Sequence, residues 1–201
     1  MNTYLGFEKP IEQLDNKVHE LKSLNDNAPS DNLLEEITQV EEQINETYRK
    51  IYSSISPWQR TLVARHPQRP KTREYIHNLI EDFFPLSGDR FFSEDKAILG
   101  GFGKFRGKTV LVLGHEKGHD TTSRIEHNFG MPRPEGYRKA QRLMKLAEDF
   151  DIPVISFVDT PGAYPGVGAE QRGQSEAIAK TTECCLSLGV PIIAVSYTHL
   201  R

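Results

Sequence analysis

Cysteine is nearly missing from this chain: 201 residues carry only Cys184 and Cys185. A bond between neighbours is strained, so both are expected as reduced thiols on an apolar helix. Two cysteines also exclude a four-cysteine zinc site. The 7 histidines are scattered. His115 and His119 come closest to a metal pair, yet Gly114 and Gly118 interleave them after a strand, so no metal is expected. No charge of one sign dominates. The net charge of −3 excludes a strong field for nucleic acid or an anionic membrane. Long apolar runs are absent too, and none exceeds strand length, so no membrane-spanning helix is expected. The N-terminal segment MNTYLGFEKPIEQLDNK is acidic and lacks the apolar core of a signal peptide. These absences together point to the cytoplasm. A hydrophobic fraction of 37% and a mean hydropathy of −0.54 describe a polar but not disordered chain, its polarity concentrated in the first 50 residues.

Periodicity divides what is present. Ile11, Leu14, Val18 and Leu21 are spaced 3, 4, 3, a heptad stripe on one helix. Asn25 to Ser30 reads as a turn. Ile37, Val40, Ile44 and Ile51 mark a second helix, capped near Ser30 or Asp31. Residues 1–55 are therefore expected as an antiparallel helical hairpin. Its narrow stripes would be marginal alone, so it should pack on other protein. Thr61 to Pro70 reads as a basic, proline-punctuated connector holding Arg65 and Arg69. Lys71 to Phe84 reads as a helix with Tyr75, Ile76, Leu79, Ile80 and Phe83 on one face. Ala97 to Phe105 and Thr109 to His115 read as strands joined by the turn Arg106-Gly107. A helix from Gly136 to Phe150, a strand from Pro153 to Phe157, a helix from Gln174 to Leu188 and a strand from Pro191 to Val195 follow. That alternation implies a parallel, right-handed arrangement.

The densest punctuation lies between the second-last strand and helix. Val158 to Glu170 holds Pro161, Gly162, Pro165 and Gly166 within six residues. Neither helix nor strand can run through them. A loop so placed, at the carboxyl end of a strand, is where α/β folds bind ligands, and it works through its backbone. Arg133, Arg138 and Lys139 lie around a second Gly/Pro-shaped loop before a helix, Asn128 to Lys139, and some of them are expected to face an anion.

Two other motifs compete. Asp159-Thr160-Pro161-Gly162 matches the Asp-x-x-Gly of a GTP hydrolase. The phosphate loop this needs would have to be Gly101 to Thr109, where Phe102 replaces the first required glycine and Lys108 opens a strand. Gly173-Gln174-Ser175-Glu176-Ala177 resembles a nucleophile elbow, but about fourteen residues part Ser175 from the strand, so Ser175 reads as a helix first-turn residue.

Arg65-His66-Pro67-Gln68-Arg69-Pro70, Gly88-Asp89-Arg90, Asp95-Lys96-Ala97-Ile98, Asn128-Phe129-Gly130-Met131-Pro132, Pro134 to Ala140 and Asp159 to Glu170 occur together and in one order. In this the sequence resembles the α subunit of bacterial acetyl-CoA carboxylase carboxyltransferase, in the crotonase-like superfamily. The resemblance implies an α/β fold, a crotonase-like ββα spiral, here incomplete, behind the N-terminal hairpin. It implies transfer of CO2 from carboxybiotin on a carrier protein to acetyl-CoA, giving malonyl-CoA for fatty acid synthesis. The implied partners are a zinc-binding β subunit, the biotin carboxyl carrier protein and biotin carboxylase, in an α2β2 transferase. Gly162, Ala163, Tyr164, Pro165, Gly166 and Gly168, with Arg138, are the implied substrate-binding residues. No side-chain catalyst is implied and no metal in this chain. A Gly-Gly turn expected after Pro191 to Val195 is missing. Residues 56–195 thus read as the N-terminal part of the transferase domain and residues 196–201 as a tail foreign to the family. The expectation is a chain inactive by itself; the remaining alternatives are a nucleotide hydrolase or an inactive scaffold fragment.

Overall fold

The computed structural model describes residues 3–196. They form two compact units, Met1–Arg69 and Pro70–Arg201, and the five residues 197–201 of the expected foreign tail lie outside the described set.

The first unit is helical. A 3-10 turn, Gly6–Glu8, leads into α1 (Lys9–Asn27), and three residues later α2 (Asp31–Tyr52) begins. So short a loop allows only an antiparallel pair. The stripes meet as expected: Val18 and Leu21 bury against Ile37 and Val40, flanked by Leu14, Leu33 and Ile44. Lys17–Glu36 at 2.8 Å and Lys22–Glu41 at 2.7 Å tie the helices on their exposed sides, where such pairs contribute little. Near the far end the Tyr52 hydroxyl donates to the buried carboxylate of Glu8, which also accepts the Leu5 N–H at 2.6 Å. The basic connector read from Thr61 onward is partly wrong. Α-helix α3 (Pro57–Ala64) occupies its first half, because Ser56 and Gln59 cap each other's backbone and Pro57 suits a first helical turn.

The second unit is built on a five-stranded sheet in the order β1-β2-β3-β4-β5. Its strands are β1 (Glu81–Pro85), β2 (Ile98–Phe105), β3 (Lys108–His115), β4 (Val154–Phe157) and β5 (Ile192–Val195). The first three pair antiparallel and the last three parallel. Arg106 and Gly107, both left-handed, make the expected hairpin turn. Strand alternation sorts the core into two layers. Leu111 and Leu113 face α6 (Pro134–Asp149) and α8 (Gln174–Ser187), meeting Leu143, Met144, Ala147 and Cys184. Val110 and Val112 face α4 (Thr72–Leu79), meeting Ile76 and Ile80.

The helix expected over Lys71 to Phe84 is corrected here. It ends at Leu79, and the chain turns extended at Ile80 to form β1. The apolar spacing is helical, but Gly101 and Gly103 on β2 let a fifth strand lie close. A Cβ at Gly101 would stand 2.3 Å from the Phe84 carbonyl oxygen. Pairing outweighs local periodicity, and Pro85 is tolerated because β1 is an edge strand. At the opposite edge β5 is largely open: Ile193 is 57% and Val195 41% exposed.

Candidate functional site

The carboxyl ends of β3, β4 and β5 lie side by side, since His115, Phe157 and Val195 end the three parallel strands. The Gly/Pro loop leaves from the middle one. It runs from Val158 to Gly166 and ends in the short helix α7 (Val167–Gln171). Gly168, expected in the loop, therefore belongs to α7.

A second loop, Asn128 to Arg133, follows the short helix α5 (Thr121–Glu126) and shapes the first. Asn128, Phe129 and Gly130 are left-handed in succession, at φ 47, 56 and 77°. For the two non-glycine residues this conformation costs on the order of 1 kcal/mol each. It aims the Gly130 and Pro132 carbonyls at the Gly/Pro loop. Thr160 Oγ1 donates to Gly130 O at 2.6 Å and accepts the Gly162 N–H at 3.1 Å. Pro132 O accepts the Tyr164 N–H at 3.0 Å and Nε2 of the buried Gln174 at 2.9 Å. Tyr164 is thus held by its main chain while its ring is free to meet other groups. The ring lies over Gly166, where a Cβ would come within 2.2 Å of it. On the ring rests the guanidinium of Arg133, 4.6 Å from its centroid. Gly162, at φ 145°, adopts a backbone conformation that side chains resist, with open space around it. Ala163 is half-buried and Pro165 exposed.

His115, Lys117 and Asp159 form the third side. Lys117 Nζ pairs with Asp159 Oδ1 at 2.5 Å, and the Asp159 N–H approaches His115 Nδ1 at 3.4 Å. Burial holds the His115 ring below the usual imidazole range. The Phe157 carbonyl and Asp159 pull it up, and Lys117 pushes it down. A neutral ring is the form that can accept the Asp159 N–H.

The expected cations have mostly found protein partners. Lys139 is buried, with Nζ donating to Glu94 and to the carbonyls of Asp95 (2.9 Å) and Ile98; it is not one of the cations open to a ligand, because a buried ammonium must be paired within the protein. Arg138 Nε donates to Asp89 at 2.9 Å, its Nη1 donates to Arg172 O at 3.2 Å, and its guanidinium lies 5.0 Å from the Phe91 ring centroid. Burial pushes the Asp89 carboxyl up, but the N–H groups of Phe92 and Phe91 and the Arg138 charge outweigh it and leave it below the usual carboxylate range. Arg172 pairs with Glu135. Arg133 forms no side-chain ion pair: its main-chain N–H donates to Asp95 at 2.7 Å, and its enclosed Nε, like Nη2 of the ion-paired Arg138, has no hydrogen-bond partner.

Lys108 opens β3 within a hairpin and leads into no helix, so Gly101 to Thr109 builds no phosphate loop. Ser175 lies exposed in the first turn of α8, as expected. Among the described residues no three His, Cys, Asp or Glu side chains group as a metal site, and no helix is long and apolar enough to cross a membrane. One 460 Å³ hollow lies elsewhere, bordered by Arg73, Lys96, Glu116 and His127; Glu116 accepts the Arg73 main-chain N–H, Lys96 pairs with Glu126, and His127 Nδ1 meets the Ser123 carbonyl. What the Gly/Pro loop presents is backbone, one tyrosine and one arginine, a set suited to receiving an anion or oxyanion but lacking a nucleophile. Gln174, Lys117 and His115 as loop supports escaped the sequence reading. Their partners lie 42, 42 and 44 residues away along the chain, and nothing local marks them.

Residues 4–197 match the model of the acetyl co-enzyme A carboxylase carboxyltransferase-like family. Acetyl-coenzyme A carboxylase carboxyl transferase subunit alpha of Rhodopseudomonas palustris (strain HaA2) is 56% identical over 195 residues, 97% of this chain and 60% of that protein. The same-named subunit of Caulobacter vibrioides (strain NA1000 / CB15N) is 56% identical over 191 residues, 95% of this chain and 60% of that protein. This chain thus spans about 60% of the length of the curated relatives it matches. Solved structures share the fold at low identity. Transcarboxylase 12S, with hydrolysed methylmalonyl-coenzyme A bound, has TM-score 0.51 at 21% identity over 63% of this chain and 23% of its own. A single-chain, multi-domain long-chain acyl-CoA carboxylase has TM-score 0.54 at 21% identity over 68% of this chain and 13% of its own.

Proposed function

This chain belongs to the acetyl co-enzyme A carboxylase carboxyltransferase-like family, and from that premise we propose that it supplies the α side of a carboxyl-transfer site. The substrates are carboxybiotin on a carrier protein and acetyl-CoA, and the product is malonyl-CoA for fatty acid synthesis. A zinc-binding β subunit completes the site in an α2β2 assembly that works with biotin carboxylase in the cytoplasm. Residues 1–55 are a docking hairpin, and residues 56–195 are the N-terminal part of the transferase domain.

The observation that carries this reading is the Gly/Pro loop itself, held at a strand end through Thr160 and Tyr164 by the carbonyls of a strained neighbour. Moving a carboxyl group from the ureido nitrogen of biotin to the methyl carbon of acetyl-CoA creates two transient oxyanions, on the ureido oxygen and on the thioester enolate. Preorganised dipoles stabilise such charge without any covalent catalyst. Gly162, Ala163, Tyr164, Pro165, Gly166 and Gly168 border the biotin side in this proposal. Arg138 supports them from behind through the Arg172 carbonyl, which follows α7.

A chimera tests the proposal. This chain replaces the matching portion of the Rhodopseudomonas palustris relative, and malonyl-CoA formation is measured with a β subunit and a carboxylated carrier. Turnover is expected, and Gly162→Val or Gly166→Val should reduce it about 100-fold, the cost of misplacing a reacting group by roughly 1 Å. A well-folded but inactive chimera, or one indifferent to both substitutions, would sink the proposal.

A further inference from the structure

Arg133 is an arginine without an anion. Its neighbours are paired: Arg138 with Asp89, and Arg172 with Glu135. Arg142 donates to the Gly88 carbonyl at 2.9 Å. Arg133 is the N-cap of α6, and its side chain makes no cap bond. Asp95, 3% exposed and close enough to feel the Arg133 charge, is spent on main-chain N–H groups, those of Arg133 at 2.7 Å and Ala97 at 3.0 Å. Glu135 is engaged by Arg172 and lies 3.8 Å from Arg138. What the Arg133 guanidinium does have is the face of Tyr164 at 4.6 Å. A cation–π contact of this kind is worth about 0.5–1 kcal/mol and fixes the guanidinium plane while leaving its N–H edge unused. Its Nε is enclosed with no partner. An enclosed charged donor left unpaired costs more than an ordinary missing hydrogen bond, so a partner is called for.

A second enclosed group points to the same place. Gln174 is 3% exposed; its Nε2 donates to Pro132 O, the residue before Arg133, while its Oε1 has no partner. An unused donor and an unused acceptor thus belong to two side chains tied to the same segment, Arg133 following Pro132 and stacking on Tyr164, and Gln174 sharing the Pro132 carbonyl with the Tyr164 N–H. The guanidinium fork matches a carboxylate, and the amide oxygen matches an N–H or O–H.

We propose that Arg133, held on the ring of Tyr164, is the receptor for a ligand carboxylate at the Gly/Pro loop, with Gln174 Oε1 accepting from a donor on the same ligand. If the function proposed above holds, that carboxylate is the one being transferred, and Arg133 is a specificity-determining residue that tells carboxylated from bare carrier. The carboxylate subsite itself stands on the geometry alone.

The test is a titration of the whole 201-residue chain, labelled with nitrogen-15 and followed at the arginine Nε–H signals. Sodium acetate and sodium bicarbonate are compared with sodium chloride at equal ionic strength, and the neutral amide of biotin is titrated separately. Acetate or bicarbonate should shift the Arg133 signal to saturation, whereas chloride should not. Arg133→Gln should weaken acetate about tenfold or more, the scale of one charge-assisted pair. Arg133→Lys, which keeps the charge but loses Nε–H and the fork, should recover only part of it. Equal response to chloride would reduce the site to an adventitious ion only and overturn the inference, as would an unmoved Arg133 signal. Biotin amide shifting residues 162–166 while acetate moves nothing would overturn it and leave the function proposed above standing. Acetate binding without any response to biotin amide would uphold the subsite and count against that function.

Discussion

At the residue scale the site depends on protonation as well as shape. His115 meets the Asp159 N–H through a ring nitrogen that must be unprotonated, and burial depresses its folded pKa. The unfolded chain takes up the proton near the ordinary imidazole pKa of about 6.5, before the folded chain does. His115 therefore contributes stability that is present above that pH and is lost as pH falls through the depressed folded value. Stability measured by urea unfolding should decline from pH 7 toward pH 5 in the wild type, and His115→Gln should flatten that decline. Asp159 and Lys117, the charged groups that face the ring, pair with each other at 2.5 Å. Identical slopes for the two proteins would show that the ring does not titrate with folding.

At the element scale, β1 shows how a glycine outranks a periodicity. Residues 75 to 83 repeat their apolar side chains as a helix does, yet Glu81–Pro85 pairs with β2. The pairing requires nothing larger than hydrogen at Gly101, where an added Cβ would also stand 2.8 Å from the Phe83 ring and from Pro85 Cα. Two of those contacts are backbone and cannot rotate aside. Gly101→Ala should cost about 2 kcal/mol or more, toward the upper part of the range for overpacking. It should also speed amide exchange selectively at Phe84 and Leu86, leaving the β3–β4 ladder protected. Exchange that rises evenly over the sheet, or no loss of stability, would argue against this account of β1.

At the scale of the whole molecule, the second unit leaves apolar side chains exposed. Leu186 on α8 is 84% exposed, Ile193 and Val195 stand open on edge strand β5, and Phe91 is 83% exposed on the loop before β2. Open edge strands and apolar patches favour association. Sedimentation velocity on the chain should show reversible self-association growing with concentration, reduced by Leu186→Lys together with Ile193→Lys. A single monomer boundary over the whole concentration range would refute it. The helical hairpin contributes differently, since its buried stripe is satisfied within the first unit by Val18, Leu21, Ile37 and Val40.

Much of this was legible in the amino-acid order, wherever the determinant was local. The hairpin stripes, the Arg106-Gly107 turn, α6, α8 and the Gly/Pro loop all follow from spacing, from positive φ or from proline, none of which needs a distant partner. The ordered motifs carried the family as well. Tertiary structure alone decided which positive charges are free. Arg133, Arg138 and Lys139 lie within seven residues of one another and read alike. Lys139 is consumed by Glu94, 45 positions upstream, Arg138 by Asp89, 49 upstream, and only Arg133 is left without a side-chain anion. A charge's availability is set by what the fold brings within hydrogen-bond reach in a poorly solvated place, and no local pattern encodes that distance.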